Sequence, residues 1–301
     1  MQIIGKTKFD FIGKRKISFI ISTVIVCIGI LAIIQISRGV ANMGIDFTGG
    51  TALQLKFEKP VAIENARKAL SKSGLEVNLQ EITDGNKLLI KVGKTTGAMG
   101  SVAETVENAV RKGFPGNAFI VESSTEIGPS IGKKLRNDTL IAIVVAMIGI
   151  ILYIAWRFDF KFGIAAAMAT FHDVLAIFAI FFILGKEVNL LLITAVLTIA
   201  GYSLTDTVVV FDRIRENLHK NMKESLVTIF NVSINEVLSR TIITALTTLL
   251  AALSLFLFGG EVIHDFAFAL VVGILVGTYS SIFVASPLVV LWENRARRAK
   301  A

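Results

Sequence analysis

One cysteine, Cys27, is all that the 301-residue chain carries, so an intrachain disulfide is excluded and a cysteine-based zinc site has no support. Histidine is nearly as scarce: His172, His219 and His264 stand far apart, and no metal or cofactor site is read from them. No internal repeat or low-complexity tract occurs, which removes solenoids and compositionally disordered tails from consideration. Charge is thin at 18%, against 53% hydrophobic residues and a mean hydropathy of +0.70. A soluble domain must cover its surface with polar groups, so this balance points to a membrane protein. A formal charge of +8 would suggest nucleic acid in a soluble chain. In a membrane chain the basic residues are read first for orientation.

Runs of about 20 residues with little or no charge suffice to cross a ~30 Å hydrocarbon core. Six occur, at approximately residues 17–36, 140–156, 162–184, 190–211, 241–258 and 266–291. The first follows Lys14, Arg15 and Lys16 and exceeds the ~7–15 apolar residues of a cleaved signal peptide. It is expected to be retained as an anchor, although Gly39 and Ala41 mimic a cleavage site. Lys and Arg in short loops resist translocation, and one side collects nearly all of them. That side holds Lys6, Lys8, Lys14, Arg15, Lys16, Arg157, Lys161, Arg213, Arg215, Lys220, Lys223, Arg295, Arg297, Arg298 and Lys300, against Lys186 in the opposite short loops. Residues 1–16 and the basic tail 292–301 are therefore expected in the cytoplasm, and the basic surplus needs no nucleic acid.

The segment between the first two spans, residues 37–136, is expected outside as one small α+β domain. Residues 51–57 alternate like a strand. Residues 60–73 read as a helix with Pro60 in its first turn and a stop before Gly74. Residues 76–82 and 87–92 flank Thr83, Asp84, Gly85 and Asn86 as a hairpin. A helix over 101–112, with Glu104 in its first turn, and an alternating strand over 118–127 complete the order β-α-β-β-α-β of a ferredoxin-like unit. Residues 137–291 carry spans two to six as one bundle, with a cytoplasmic amphipathic segment at 212–239 that would suit a lever or docking surface.

Ionisable residues inside spans cost about 2.5–3.5 kcal/mol on insertion scales, so each calls for a partner or a function. Asp206 lies about 7–8 Å inside the fourth run at 1.5 Å per residue. A carboxyl held out of water there is suited to exchanging protons, as in pumps; the alternative is a polar packing residue held by Ser or Thr. Arg240 opens the fifth run, either as an ordinary snorkelling flank or as the charge that holds Asp206 when it is ionised. His172 and Asp173 fall near the middle of the third run, as a second element of a proton path or as an interhelical clamp. Gly273, Gly277, Ser281 and Ala285, four residues apart in the sixth, form a small-residue stripe for close helix packing. His264 and Asp265 are expected in a short outer loop with no special role.

Two phosphate-binding readings fail. Gly93-Lys94-Thr95 would end a P-loop, but Leu88 stands where its first glycine must be. Gly44-Ile45-Asp46-Phe47-Thr48-Gly49-Gly50-Thr51 is glycine-rich, yet no helix is expected after it, and it reads as a turn into a strand.

That last segment, just after a first span, is similar to the signature of the SecD/SecF family of protein-export membrane proteins. Glu126-Ile127-Gly128-Pro129-Ser130-Ile131-Gly132, Phe171-His172-Asp173-Val174, Gly201-Tyr202-Ser203-Leu204-Thr205-Asp206-Thr207, Phe211-Asp212-Arg213-Ile214-Arg215-Glu216-Asn217 and Leu238-Ser239-Arg240-Thr241 agree in order. The compact outer domain resembles that of the smaller family member rather than its larger partner, SecD. The resemblance implies the resistance-nodulation-division superfamily, with this chain as half of a pseudo-symmetric twelve-span unit completed by SecD in a bacterial-type inner membrane. It implies a non-enzymatic translocation subunit that uses the proton-motive force on unfolded polypeptides leaving the SecYEG channel, with YidC as a further partner. It places the proton role on Asp206 and the charge partner on Arg240, and gives His172 and Asp173 no settled role. A non-energised scaffold subunit and a small-molecule exporter of the same superfamily stay open.

Overall fold

The structure, a computed structural model, describes residues 7–38, 42–71, 77–82, 86–93, 101–220 and 223–298. Outside these fall Lys6, Gly39, Ala41, the stop before Gly74, the turn residues Thr83, Asp84 and Gly85, Lys94, Thr95 and Lys300. The chain forms two compact units, one of residues 1–42, 142–186 and 191–301, the other of residues 43–141 with 187–190. In chain order the helices are α1 (Arg15–Ser37), α2 (Ile45–Thr48), α3 (Ile63–Ser71), α4 (Ser101–Gly113), α5 (Pro129–Arg157), α6 (Phe160–Ile183), α7 (Leu190–Lys220), α8 (Leu226–Phe258), α9 (Glu261–Ser280) and α10 (Ser286–Arg298). A π turn, Ser281–Ala285, joins the last two. Strands β1 (Gly50–Phe57), β2 (Val77–Ile82), β3 (Lys87–Val92) and β4 (Phe119–Ile127) form the sheet.

Among the described residues, six helical stretches are long and apolar enough to cross a membrane: α1, α5, α6, α7, α8, and α9 through α10. Several helices outrun the apolar runs that announce them, because hydropathy marks the lipid-facing part of a helix and not its ends. Helix α5 starts at Pro129, whose missing N–H costs nothing in a first turn. Residues 212–239, expected to hold an amphipathic helix, are shared between the last turns of α7 and the first turns of α8. Leu226, Ile229, Phe230, Ile234 and Leu238 bury one face of that stretch of α8, and the Ser225 hydroxyl caps it by accepting from the Thr228 N–H at 3.2 Å.

Helix α6 is the buried centre of the bundle, with α1 and α9 against it. A Cβ on Gly29 of α1 would come within 2.4 Å of the Leu175 carbonyl oxygen, so the missing side chain sets that approach. Phe211 of α7 stands edge-on to Phe158 and Phe162, with ring centroids 6.0 and 5.0 Å away. The π turn has a visible cause. Pro287 has no N–H to give the Phe283 carbonyl four residues back. That carbonyl instead accepts the Ser18 hydroxyl of α1 at 3.0 Å, which keeps the backbone satisfied inside the bundle.

His264 and Asp265 are helical, in the first turns of α9, and not in a loop. Gly260, at φ +72°, turns the chain so that α9 starts at once. Lys186 donates to Asp265 at 2.6 Å and lies over the Phe268 ring at 5.1 Å.

In the second unit the antiparallel sheet runs β2-β3-β1-β4. Leu53, Leu55 and Phe57 of β1 and Leu88, Ile90 and Val92 of β3 bury alternate positions with Ala66 and Leu70 of α3 and Val102, Val106 and Val110 of α4. Two sequence expectations change here. Helix α3 begins at Ile63 because Val61 is drawn into the core ahead of it, so Pro60 precedes the helix and the Ala62 carbonyl receives its first bonds. Strand β4 does not alternate in burial: it is an edge strand whose register with β1 shifts between Gln54 and Leu55, leaving Glu122 as the extra residue. Lys87 donates to Glu122 at 2.9 Å, which holds that carboxyl below its usual value.

The glycine-rich segment contains a one-turn helix, α2, before β1, where sequence suggested a plain turn. Gly49 and Gly50 have φ of +72° and +139°. A Cβ on Gly50 would lie 2.4 Å from the Val92 carbonyl oxygen, and one on Gly132 would lie 2.8 Å from the Gly49 nitrogen. The segment at 44–51 and the segment at 126–132, far apart in sequence, therefore make one joint. Gly50→Ala is expected to destabilise the sheet unit by roughly 2–4 kcal/mol, as backbone strain and overpacking add. Limited proteolysis of the full chain checks it, with Gly116→Ala, where an added Cβ meets nothing within 4 Å, as the control. Equal resistance in the two variants would count against the joint.

Candidate functional site

Among the described residues two buried carboxyls sit inside the helical unit, and their surroundings differ. Asp206 on α7 is 7% exposed. Its Oδ1 accepts the Thr244 hydroxyl of α8 at 3.4 Å, the long limit of a hydrogen bond. That hydroxyl has one proton and two nearer acceptors, the Thr241 carbonyl at 2.9 Å and the Arg240 carbonyl at 3.1 Å. Oδ2 is buried and has no hydrogen-bond partner. This carboxyl is close to lacking any donor, the setting in which a low dielectric most disfavours charge.

Arg240 lies one helical turn before Thr244 on α8, but its side chain is exposed and makes no ion pair with Asp206. The structure thus brings the two residues to adjacent helices without joining them.

Asp173 on α6 is fully buried and well supplied. Its Oδ2 accepts the hydroxyls of Ser203 on α7, at 2.5 Å, and Ser280 on α9, at 2.8 Å. Its Oδ1 lies 3.0 Å from Nδ1 of His172. One carboxyl therefore ties three helices together. His172 is itself buried, its ring 6.2 Å from that of Tyr279, and its Nε2 has no partner.

The small-residue stripe belongs to the same junction. Added Cβ atoms on Gly273 and Gly277 would come within 2.5 Å of Ile199 and 2.9 Å of Ser203 on α7. Ser281 and Thr207 share a hydrogen bond at 2.8 Å, and Ala285 is buried in the bundle core. Close approach at the glycines brings Ser203 and Ser280 to Asp173. Sequence reasoning named the stripe and the carboxyl separately and missed Ser203, Ser280 and Thr244, since hydroxyls on apolar helices carry no pattern that points to a partner. Among the described residues no group of three His, Cys, Asp or Glu side chains is placed to hold a metal.

Known proteins resemble this chain along nearly its whole length. The SecD/SecF C-terminal model of protein-export membrane proteins matches residues 105–295, and the SecD/SecF GG motif matches residues 41–61. The protein translocase subunit SecF of Thermodesulfovibrio yellowstonii is 54% identical over 294 residues, covering 97% of each chain. That of Calditerrivibrio nitroreducens is 43% identical, covering 97% of this chain and 96% of its own. Among solved structures, the translocon-associated membrane protein SecDF of Thermus thermophilus matches with a TM-score of 0.83 at 38% identity, over 96% of this chain and 39% of its own. Its length beyond the match leaves this chain similar to one part of that larger protein.

Proposed function

The chain belongs to the SecD/SecF family of protein-export membrane proteins, and from that premise we propose that it works as the SecF-type half of a proton-driven export unit whose other half is SecD. Protonation of Asp206 and its return to an ion pair with Arg240 switch the bundle between two states. The outer domain, a ferredoxin-like unit to judge by its element order and antiparallel sheet, changes its grip on an emerging polypeptide as they alternate. Both termini face the cytoplasm of a bacterial-type cell, and the SecYEG channel delivers the substrate, with YidC nearby.

The observation that carries this reading is the contrast between the carboxyls. Asp173 has its hydrogen bonds made, while Asp206 keeps one oxygen unpartnered and the other weakly held. A group that must gain and lose a proton cannot be clamped in one state. Arg240, without an ion pair among the described residues and one helical turn before the Thr244 that reaches Asp206, supports this reading as the counter-charge.

Reconstitution with SecD, SecYEG and a labelled precursor tests the proposal: export should slow when an uncoupler collapses the proton gradient. Export indifferent to the uncoupler would support a scaffold subunit instead. Recovery of SecD and SecYEG in a mild-detergent pull-down tests the partners separately.

A further inference from the structure

The helical unit holds a cavity of about 720 Å³ between α1, α5, α6 and the stretch from the π turn into α10, unconnected with Asp206. Phe19, Thr23, Ile151, Phe160, Ala167 and Leu288 line it, and nearly every wall is apolar. Along α6 it runs from Phe160, the first residue of the helix, to His172, twelve residues on. At ~1.5 Å per residue that is about 18 Å, close to half of a ~30 Å hydrocarbon core. The recess therefore spans one leaflet, on the side of the chain termini. It opens sideways toward lipid, since Phe160, Met168 and Phe171 on its α6 wall are exposed.

Its outer end carries charge. On α1, Phe19 and Thr23 follow Lys16 by three and seven residues, so Lys16 shares the face of α1 that lines the cavity, one turn nearer the end of the bundle. Helical side chains lean toward the N-terminus, which carries the Lys16 ammonium outward to headgroup depth. Of the neighbouring charges, Lys161 pairs with Glu293 at 2.7 Å and Arg157 with Asp212 at 2.8 Å, and Arg15 donates to the Ile12 carbonyl at 3.5 Å. Lys16 is exposed and makes no ion pair among the described residues.

We propose that this cavity binds one anionic glycerophospholipid from the leaflet on the side of the termini, an acyl chain filling the recess and the phosphate meeting Lys16. An apolar slot one leaflet deep fits an acyl chain, and a lysine at its mouth with no ion pair among the described residues selects an anionic over a zwitterionic headgroup. The placement of Lys16 at headgroup depth rests on the six-span reading and not on proton coupling, and the test reads lipid alone.

The full-length chain in lipid nanodiscs is exposed to phosphatidylglycerol carrying a diazirine on its acyl chain, or to the matching phosphatidylethanolamine, and labelled residues are mapped by mass spectrometry. Label is expected to concentrate on the cavity faces of α1, α5 and α6, the anionic probe exceeding the zwitterionic by about fivefold, the worth of one lysine near an anionic surface. Lys16→Gln should erase that excess and leave the zwitterionic signal unchanged. Ala167→Phe, or Ile151→Trp should the first fold poorly, should remove cavity labelling with both probes. Label spread evenly along α5 and α8 would reduce the site to ordinary boundary lipid and overturn the proposal. So would an anionic excess that survives Lys16→Gln, or cross-linking of a photoreactive residue at position 167 to another protein.

Discussion

Asp206→Asn is expected to leave the chain folded and paired with SecD, while export falls to the level that wild type shows in the presence of an uncoupler. Asparagine matches aspartate in size, so the core around α7 keeps its shape. Its side-chain carbonyl still accepts from Thr244 in place of Oδ1. What it lacks is the second state: it can neither lose a proton nor pair with Arg240. One elementary charge crossing 100 mV is worth ~2.3 kcal/mol, about a fifty-fold bias on a two-state element, and the variant should lose that whole factor. Inverted membrane vesicles with a labelled precursor, assayed with and without uncoupler, provide the measurement. A variant whose export still responds to the uncoupler would remove Asp206 from the proton path. Arg240→Gln should act in the same direction, since it deprives the ionised carboxyl of its counter-charge.

The second large effect is one of stability. Asp173→Ala should cost roughly 2–5 kcal/mol, since a buried hydrogen-bond network loses its acceptor, with lower yield and melting temperature in detergent. It strands the Ser203 hydroxyl and the His172 Nδ1 in the centre of the bundle and leaves the Ser280 hydroxyl only the Gly277 carbonyl, at 3.1 Å. Asp173→Asn should lose far less, because an amide oxygen in the place of Oδ2 can still accept from both serines. The asparagine variant also separates the two roles weighed for this residue. As a clamp, it keeps export sensitive to the uncoupler; loss of that sensitivity in a well-folded protein would make Asp173 a second proton carrier. The clamp is favoured because Asp173 has its hydrogen bonds made to hydroxyls on two other helices, whereas Asp206 keeps one oxygen without a partner.

The six spans were legible because a bilayer imposes a length that any span must meet, and α1, α6 and α7 start within about two residues of the runs that announced them. The sheet unit was legible too, as alternation in β1 and β3 survived into burial. Alternation failed at β4, where Glu122 is an extra residue in the register, and a bulge reflects pairing with β1 that no local pattern encodes. The start of α3 was misplaced because Pro60 suits a first turn, whereas Val61 is drawn into the core ahead of the helix. At the candidate site the carboxyls stood out as charges in apolar runs. Their fates did not: Asp173 meets Ser280 across 107 positions, and Asp206 meets Thr244 across 38.

Sequence by itself determined the number and approximate place of the spans, the order of the four strands and two longer helices between the first two, and the places where charge enters an apolar helix. Each depends on residues within a turn or two of one another and on the thickness of the bilayer. Tertiary structure alone decided that Asp173 is tied to three helices while Asp206 is left almost untied, and that α1, α5 and α6 enclose an apolar recess. Inside a bundle an ionisable group takes its character from the donors that neighbouring helices bring to it. Those donors are set by how closely residues such as Gly277 and Gly29 let the helices approach.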